Sequence, residues 1–117
     1  MSGASEKALL GVIGLCRGAG RLVIGVPMIC EELKKGAKRH ILGQDGYVES
    51  VIVIEASDSS ENTHKRIADK CEYYKIRRIR IDSDCVTLGG ALGKGAVAAV
   101  MINDAGFCRA IEKKLAD

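Results

Sequence analysis

The stretch RGAGRLVIGVPM at residues 17–28 predicts the end of one helix, a short strand and the start of a second helix in direct succession. Gly18 and Gly20 permit the backbone angles that a tight helix-to-strand connection needs. Residues 22–24 form an apolar, partly β-branched run that is typical of a strand. Pro27 suits the first position of the second helix, because its missing N–H group would have no partner there.

The same stretch is a candidate anion site. A helix N-terminus presents unpaired N–H groups and a partial positive charge. Arg17 and Arg21 would add full charges beside it if the connection is tight. The residues alone leave an alternative open, in which a solvated loop leads into an ordinary packed helix.

Helices and strands alternate along the rest of the chain. The predicted helices cover residues 5–16, 27–35, 60–74, the segment between Asp84 and Gly93, and the segment after Asp104. The predicted strands cover residues 22–24, 51–54, 78–81 and 96–102. The β-branched run at 51–54 is typical of a buried central strand, whereas isoleucines alternate with arginines at 78–81 and favour an edge strand. This order predicts an α/β domain with helices on both faces of a mixed sheet.

Local signals predict several boundaries and core positions. Asp58 and Glu61 have capping-box spacing at the start of the third helix, and Gly36 is expected to end the second helix. The apolar stripes include Leu15 and Val86. Residues 37–50 read as a turn-rich loop or a small hairpin with His40 in solvent. Tyr73 and Tyr74 are interpreted as packing at a helix end, because the aromatic residues are too scattered for a stacking platform.

The composition predicts one domain over residues 1–117 in the cytoplasm. The chain is 47% hydrophobic and 28% charged, and charges or turn residues interrupt every apolar run before the roughly 20 residues that would span a bilayer. The N-terminus lacks the pattern of a signal peptide. Five cysteines form no Cys-x-x-Cys pair, so we expect free thiols and no zinc or other metal site.

Basic residues are concentrated in two blocks. Residues 1–39 carry seven Lys/Arg against three acids, and residues 64–80 carry seven against two. The intervening residues 40–63 carry five acids and no Lys or Arg. Such clusters can form a phosphate-binding face, although basic runs are more often simply the solvated surfaces of helices.

The sequence offers no apparatus for catalysis or nucleotide binding. The glycine-rich segment 89–95 departs from a P-loop, because its glycine spacing is wrong and Gly95 stands where a Ser or Thr should bind Mg²⁺. Gly18 and Gly20 lack the third glycine of a dinucleotide fingerprint. No Ser or Cys lies in a nucleophile-elbow pattern. We therefore expect neither an enzyme nor a small-molecule substrate.

Several strings in their joint order resemble the ribosomal L-seven-Ae family, whose bacterial members look like small kink-turn RNA-binding proteins. They are LCRGAGRLV at 15–23, ASDSSENT at 56–63, DKCEYY at 69–74, LGGALGK at 88–94 and DAGF at 104–107. The resemblance covers nearly the whole chain. It implies a three-layer α/β/α sandwich with a four-stranded mixed sheet, no cofactor, and recognition of structured RNA in place of catalysis.

The resemblance also implies an RNA surface. In the family this surface combines the start of the second helix, the segment after the central strand and the loop before the last strand. The corresponding positions here are Gly25, Val26, Pro27, Met28 and Glu31, then Asp58, and then Lys94, Gly95 and Ala96, with Arg17 and Arg21 as phosphate contacts. The surface is expected on a monomer with no membrane contact.

The chain departs from the family at the start of the second helix. Pro27 and Met28 stand where the family usually has a polar pair, and Glu31 stands where it often has a lysine. The leading hypothesis is a ribosome- or structured-RNA-associated protein with weakened kink-turn recognition. The alternative is a protein-interaction module that has lost kink-turn binding and docks residues 26–28 on a partner.

Overall fold

Helices and strands alternate along residues 3–36 and 41–116, the part of the chain that the computed structural model describes. The helices are α1 (Gly3–Gly18), α2 (Val26–Gly36), α3 (Glu61–Tyr74), α4 (Cys85–Ala91) and α5 (Ala105–Ala116). The strands are β1 (Leu22–Ile24), β2 (Val51–Glu55), β3 (Arg77–Arg80) and β4 (Ala99–Asn103). The predicted order of elements is confirmed.

The four strands form one mixed sheet in the order β1-β4-β2-β3. β4 lies antiparallel to both β1 and β2, while β2 and β3 are parallel. β2 is buried along its whole length, as its continuous apolar run predicts for a central strand. β3 is an edge strand, as the alternation of arginine and isoleucine predicts.

Two apolar cores lie on the two faces of this sheet and define three layers. On one face α1, α4 and α5 cover side chains such as Ile52 and Ile54. On the other face α2 and α3 cover Val51 and Val53. Successive β2 residues point to opposite faces, so the same strand supplies both cores. The predicted α/β/α sandwich is therefore confirmed.

Some local predictions are wrong. The N-cap of α3 is Ser60, whose hydroxyl accepts the Thr63 N–H group at 3.2 Å, and not Asp58. Pro27 is the second residue of α2 and not the first. Leu15 and Val86 are each 67% exposed and not in the core. The position after α2 that would test Gly36 as a C-cap, together with His40, lies outside the described residues.

Other local predictions are confirmed. Asp84 caps α4 by accepting the Thr87 N–H group at 2.7 Å, and Asp104 caps α5 by accepting the Phe107 N–H group at 2.9 Å. The small hairpin is present as a single antiparallel bridge between Leu42 and Val48. Within the described ranges, no helix combines the length and apolar character that crossing a bilayer requires.

Candidate functional site

Three segments that are distant in sequence meet at one edge of the sheet, where β1 and β2 end and β4 begins. The Gly25 N–H group donates to the Ala99 carbonyl oxygen at 3.1 Å, and the Ala56 N–H group donates to the Ala98 carbonyl oxygen at 2.8 Å. We call this the Gly25 edge. It unites the start of α2, the segment after β2 and the loop before β4.

Gly25 sets the direction of α2 at this edge. Its φ of 95° lies in the left-handed region, which favours glycine. Its carbonyl oxygen accepts the Ile29 N–H group at 3.0 Å and so begins the helix. The N–H groups of Val26 and Met28 belong to the first turn of α2, which has no helical carbonyls to bond them, and Pro27 has no N–H group.

The side chains at the start of α2 are apolar and accessible. Pro27 is exposed, and the Met28 side chain is half-exposed. Glu31, one turn further along, forms an ion pair with Lys35 at 3.2 Å. This pair lies in solvent, where such contacts contribute little to stability, but Lys35 offsets part of the charge of Glu31.

The segment after β2 is held by contacts from several elements. The Ser57 N–H group donates to the Ser83 carbonyl oxygen at 2.9 Å, and Arg80 donates to the Ser57 carbonyl oxygen at 2.8 Å. Asp58 Oδ1 accepts the Cys85 N–H group at 2.8 Å. Hydrogen bonds from the side chain and backbone of Cys85 hold the pKa of Asp58 below its usual value of 3.8. Asp58 therefore remains an anion that links β2 to the start of α4.

The loop at residues 93–96 packs against α4 and exposes Lys94, Gly95 and Ala96. The Lys94 N–H group donates to the Gly89 carbonyl oxygen at 2.8 Å, and the Val97 N–H group donates to the Cys85 carbonyl oxygen at 2.9 Å. Lys94 thus presents a charge on a loop whose path is fixed at both ends.

The two arginines of the sequence prediction lie in different places. The Arg17 guanidinium lies beside Gly93, where a Cβ atom would be 3.8 Å from its Nη1. Arg21 lies at the opposite end of β1, about 13 Å of strand away from Gly25. Its carbonyl oxygen accepts the Asn103 N–H group at 3.0 Å, and its Nε lies 4.0 Å from Asp104. The structure therefore brings Arg17 close to the 93–96 loop but does not bring Arg21 to the Gly25 edge.

A buried charged cluster beside the segment after β2 was not predicted from the sequence. The Glu55 side chain is fully buried and accepts a hydrogen bond from the Ser59 hydroxyl. His64 Nδ1 lies 2.9 Å from it and Arg78 Nη1 lies 3.0 Å from it. The one signal in the sequence was an acid directly after the apolar run at 51–54.

The partners of Glu55 decide its charge. Burial raises the pKa of a carboxyl group, but here the hydrogen bonds from Ser59 and His64 and the charges of His64 and Arg78 outweigh it. The pKa of Glu55 therefore lies below its usual value of 4.5. The ionised carboxylate fixes Ser59 and, through it, the segment that precedes α3.

Two relatives share the name RNA-binding protein YlxQ. The protein of Bacillus subtilis (strain 168) is 30% identical over 96 residues, which cover 82% of this chain and 83% of that protein. This chain belongs to the family of the RNA-binding protein YlxQ. The YlxQ of Enterococcus faecium is 28% identical over 76 residues, covering 65% of this chain and 62% of that protein. No family model matches the chain.

The fold of this chain is also similar to that of a solved structure. The structure of a protein with unknown function from Bacillus halodurans C superimposes on this chain with a TM-score of 0.75 at 26% sequence identity. The superposition covers 93% of this chain and 97% of the other. The arrangement of three segments at the Gly25 edge therefore lies on a fold that is shared over almost the whole chain.

Proposed function

We propose that this protein is a cytoplasmic, monomeric and non-enzymatic binder of structured RNA of the kink-turn type, such as ribosomal RNA. The name of the YlxQ relatives supports RNA as the partner. The observation that carries the proposal is the pair of hydrogen bonds from Gly25 and Ala56 to the adjacent carbonyl groups of Ala99 and Ala98, at the start of β4. They join the three segments of the expected RNA surface into one continuous edge.

Backbone and charge supply the binding energy in this proposal. The free N–H groups of Val26 and Met28 at the start of α2 would bind a phosphate oxygen. Lys94 adds a full charge on the neighbouring loop, and the small residues Gly95 and Ala96 allow an RNA backbone to approach closely. Arg17 extends this positive surface beside Gly93, whereas Arg21 lies outside it.

Side-chain reading of bases is weak in this proposal. Proline offers no hydrogen-bond donor, and the methionine sulfur is only a weak acceptor. Recognition therefore rests on the shape of the RNA and on its phosphates. We expect a strong dependence on salt and a modest preference for one RNA sequence over another.

A filter-binding titration tests the proposal. The protein should bind a kink-turn RNA more tightly than a straight duplex of the same composition, and the logarithm of the affinity should fall linearly with the logarithm of the salt concentration. Lys94→Ala should reduce the salt slope by about one. Lys113→Ala, an exposed lysine of α5, serves as the matched control and should leave the slope unchanged.

The titration has clear opposing outcomes. Equal affinity for the kinked and the straight RNA would show that the protein does not recognise the kink-turn. If protein that is folded by circular dichroism binds neither RNA, the proposal that the Gly25 edge binds RNA is wrong. If Lys94→Ala leaves the salt dependence of the affinity unchanged, Lys94 and the 93–96 loop do not contact the RNA.

A second candidate function is a protein-interaction module on the same fold. The exposed Pro27 and half-exposed Met28 favour it, because together with Val26 they form an apolar start of a helix in place of a polar pair. Copurification from native lysate, with and without ribonuclease, separates the two functions. A partner protein retained after ribonuclease treatment, and lost in Met28→Lys, would favour the interaction module.

A further inference from the structure

The outer surface of α3 carries a cleft of about 530 Å³, apart from the Gly25 edge. Arg66, Asp69, Lys70, Tyr73 and Tyr74 line it. The sequence interpretation of both tyrosines as packing residues is wrong for Tyr73, whose side chain is 75% exposed. We call this the Tyr73 cleft.

The rings of Tyr73 and Tyr74 contact each other on the surface of α3. Their centroids lie 4.8 Å apart and their planes meet at 84°, which is an edge-to-face contact. Tyr74 is half-buried and packs against the core under α2 and α3. An edge-to-face contact occupies at most one face of the Tyr73 ring, so the exposed ring offers a flat, oriented surface to a ligand.

Two cations flank this ring. Arg66 and Lys70 are one helical turn apart, on the same outward side of α3 as Tyr73. Within the described part of the chain, neither side chain forms an ion pair. Asp69 is the acid of the cleft, so its lining keeps one net positive charge, and the exposed Lys65 lies on the same side of the helix.

The Tyr73 cleft lies at the far end of α3 from the Gly25 edge. α3 begins at Glu61, directly after the segment that Glu55 and Asp58 hold in place. Tyr73 follows twelve residues later, or about 18 Å along the helix. An RNA bound at the Gly25 edge could therefore continue along the outer face of α3.

We propose that the Tyr73 cleft binds an unpaired nucleotide of the same RNA, with its base stacked on Tyr73 and its phosphate near Arg66 and Lys70. Aromatic stacking beside cations is the usual chemistry for single-stranded nucleic acid. The inference rests on the proposed function, because the Gly25 edge supplies the first contact. An acidic peptide would be drawn to the cations but would gain nothing from the flat ring face, so the geometry favours RNA.

Two RNAs that differ in one feature test the inference. One is a blunt kink-turn RNA, and the other carries an additional single-stranded tail of about six nucleotides, which falls within the site sizes of such proteins. Fluorescence anisotropy gives the dissociation constants for both. Wild type should bind the tailed RNA about fivefold or more tightly than the blunt RNA. Tyr73→Ala and Arg66→Ala should lose that gain while binding the blunt RNA as wild type does.

A matched control separates the cleft from general effects. Tyr47→Phe and Tyr47→Ala alter a tyrosine that is 43% exposed on the 41–50 segment, and both should keep the gain from the tail. Tyr73→Phe should also keep it, because the ring face remains. Circular dichroism confirms that each variant is folded.

The outcomes distinguish the inference from the function on which it rests. If wild type binds neither RNA, both the proposed function and the inference about the Tyr73 cleft are wrong. Wild type that binds both RNAs equally, or a Tyr73→Ala variant that keeps the gain, overturns the cleft alone. Binding of an acidic peptide at Tyr73, combined with no effect of the tail, would assign the cleft to a protein partner and also overturn the inference.

Discussion

Gly89 and Gly95 lie so close that a Cβ atom on Gly89 would clash with the Gly95 carbonyl oxygen and lie 2.8 Å from its carbonyl carbon. Both obstacles are backbone atoms, which cannot rotate away as a side chain can. α4 therefore touches the loop at residues 93–96 directly, and the Lys94 N–H group completes the contact by bonding to the Gly89 carbonyl oxygen at 2.8 Å. The shape of this part of the Gly25 edge depends on a missing side chain.

Gly89→Ala should displace the 93–96 loop and lower the free energy of unfolding by about 1–3 kcal/mol, as overpacking typically does. It should also weaken binding of a kink-turn RNA, because Lys94 moves. Gly90→Ala is the matched control, since a Cβ there meets nothing within 4 Å and alanine favours a helix. Urea unfolding should show Gly90→Ala at or above wild-type stability; equal stability of the two variants would contradict the prediction.

Glu55→Ala should lower the free energy of unfolding by about 2 kcal/mol. Breaking a fully buried ion pair costs more, roughly 3–5 kcal/mol, but Arg78 and His64 are partly exposed and can regain water. Urea unfolding at pH 7 measures the loss. Glu31→Ala, which removes an exposed ion pair, provides a control that should change stability by less than about 0.5 kcal/mol.

The same carboxylate should make stability fall in acid. The pKa of Glu55 is lower in the folded protein than its usual value of 4.5, so the unfolded chain binds a proton first as the pH falls. This contribution is complete above about pH 4.5 and is lost below it as the pH passes through the folded pKa. Glu55→Gln should therefore lose less stability than wild type between neutral and acidic pH. Parallel stability profiles for the two proteins would show that Glu55 contributes nothing to the acid loss.

Residues that act within one element were predictable from the sequence. Asp84 and Asp104 cap the helices that directly follow them. The run at 51–54 forms a central strand because its continuous apolar side chains are buried on both faces of the sheet. The prediction that Asp58 caps α3 was wrong because Asp58 accepts the N–H group of Cys85, which lies 27 residues away in the sequence. Local spacing could not distinguish that contact from a cap on α3.

The candidate site could not be predicted from local sequence spacing, because it is formed by segments that only the folded sheet brings together. The Gly25 edge exists because β4 lies between β1 and β2, so segments 30 or more residues apart become neighbours. The same topology places Arg21 at the wrong end of β1. Glu55 was missed because an acid after an apolar run normally marks the end of a strand in solvent. The exposure of Tyr73 depends on how α3 is rotated against the sheet.

The five cysteines should all be free but should react at very different rates. Cys16, Cys71 and Cys108 are buried, and burial raises the pKa of each thiol, to about 12 for Cys71 and about 11 for the other two. Burial, together with Asp58, also raises the pKa of Cys85 to about 11. A thiol reagent near pH 8 should therefore modify Cys30 first in the folded protein and all five after denaturation without reductant. Cys30→Ser should remove the fast phase, and fewer than five free thiols after denaturation would reveal a disulfide.

Restoring the polar pair at the start of α2 should convert weak, shape-based RNA binding into base-specific binding. Pro27→Asn and Met28→Glu would supply donors and acceptors at accessible positions, and each good bidentate contact contributes about 1–3 kcal/mol of discrimination on the scale known for DNA. Adding Glu31→Lys removes the acid that now pairs with Lys35 and should steepen the salt dependence. α2 should tolerate all three changes, because the second position of a helix does not require proline.

Filter binding of the triple variant to a kink-turn RNA and to the same RNA with one altered base pair at the kink measures this gain. Glu49→Lys in the wild-type background makes the same charge change as Glu31→Lys at an exposed position before β2, at the opposite end of that strand from the Gly25 edge, and controls for added positive charge. A triple variant that folds by circular dichroism and still ignores the altered base pair would show that residues 27, 28 and 31 do not face the bases. If wild type itself discriminates between the two RNAs, the N–H groups at the start of α2 and the 93–96 loop must read them, because Pro27 and Met28 lack the side-chain groups to do so.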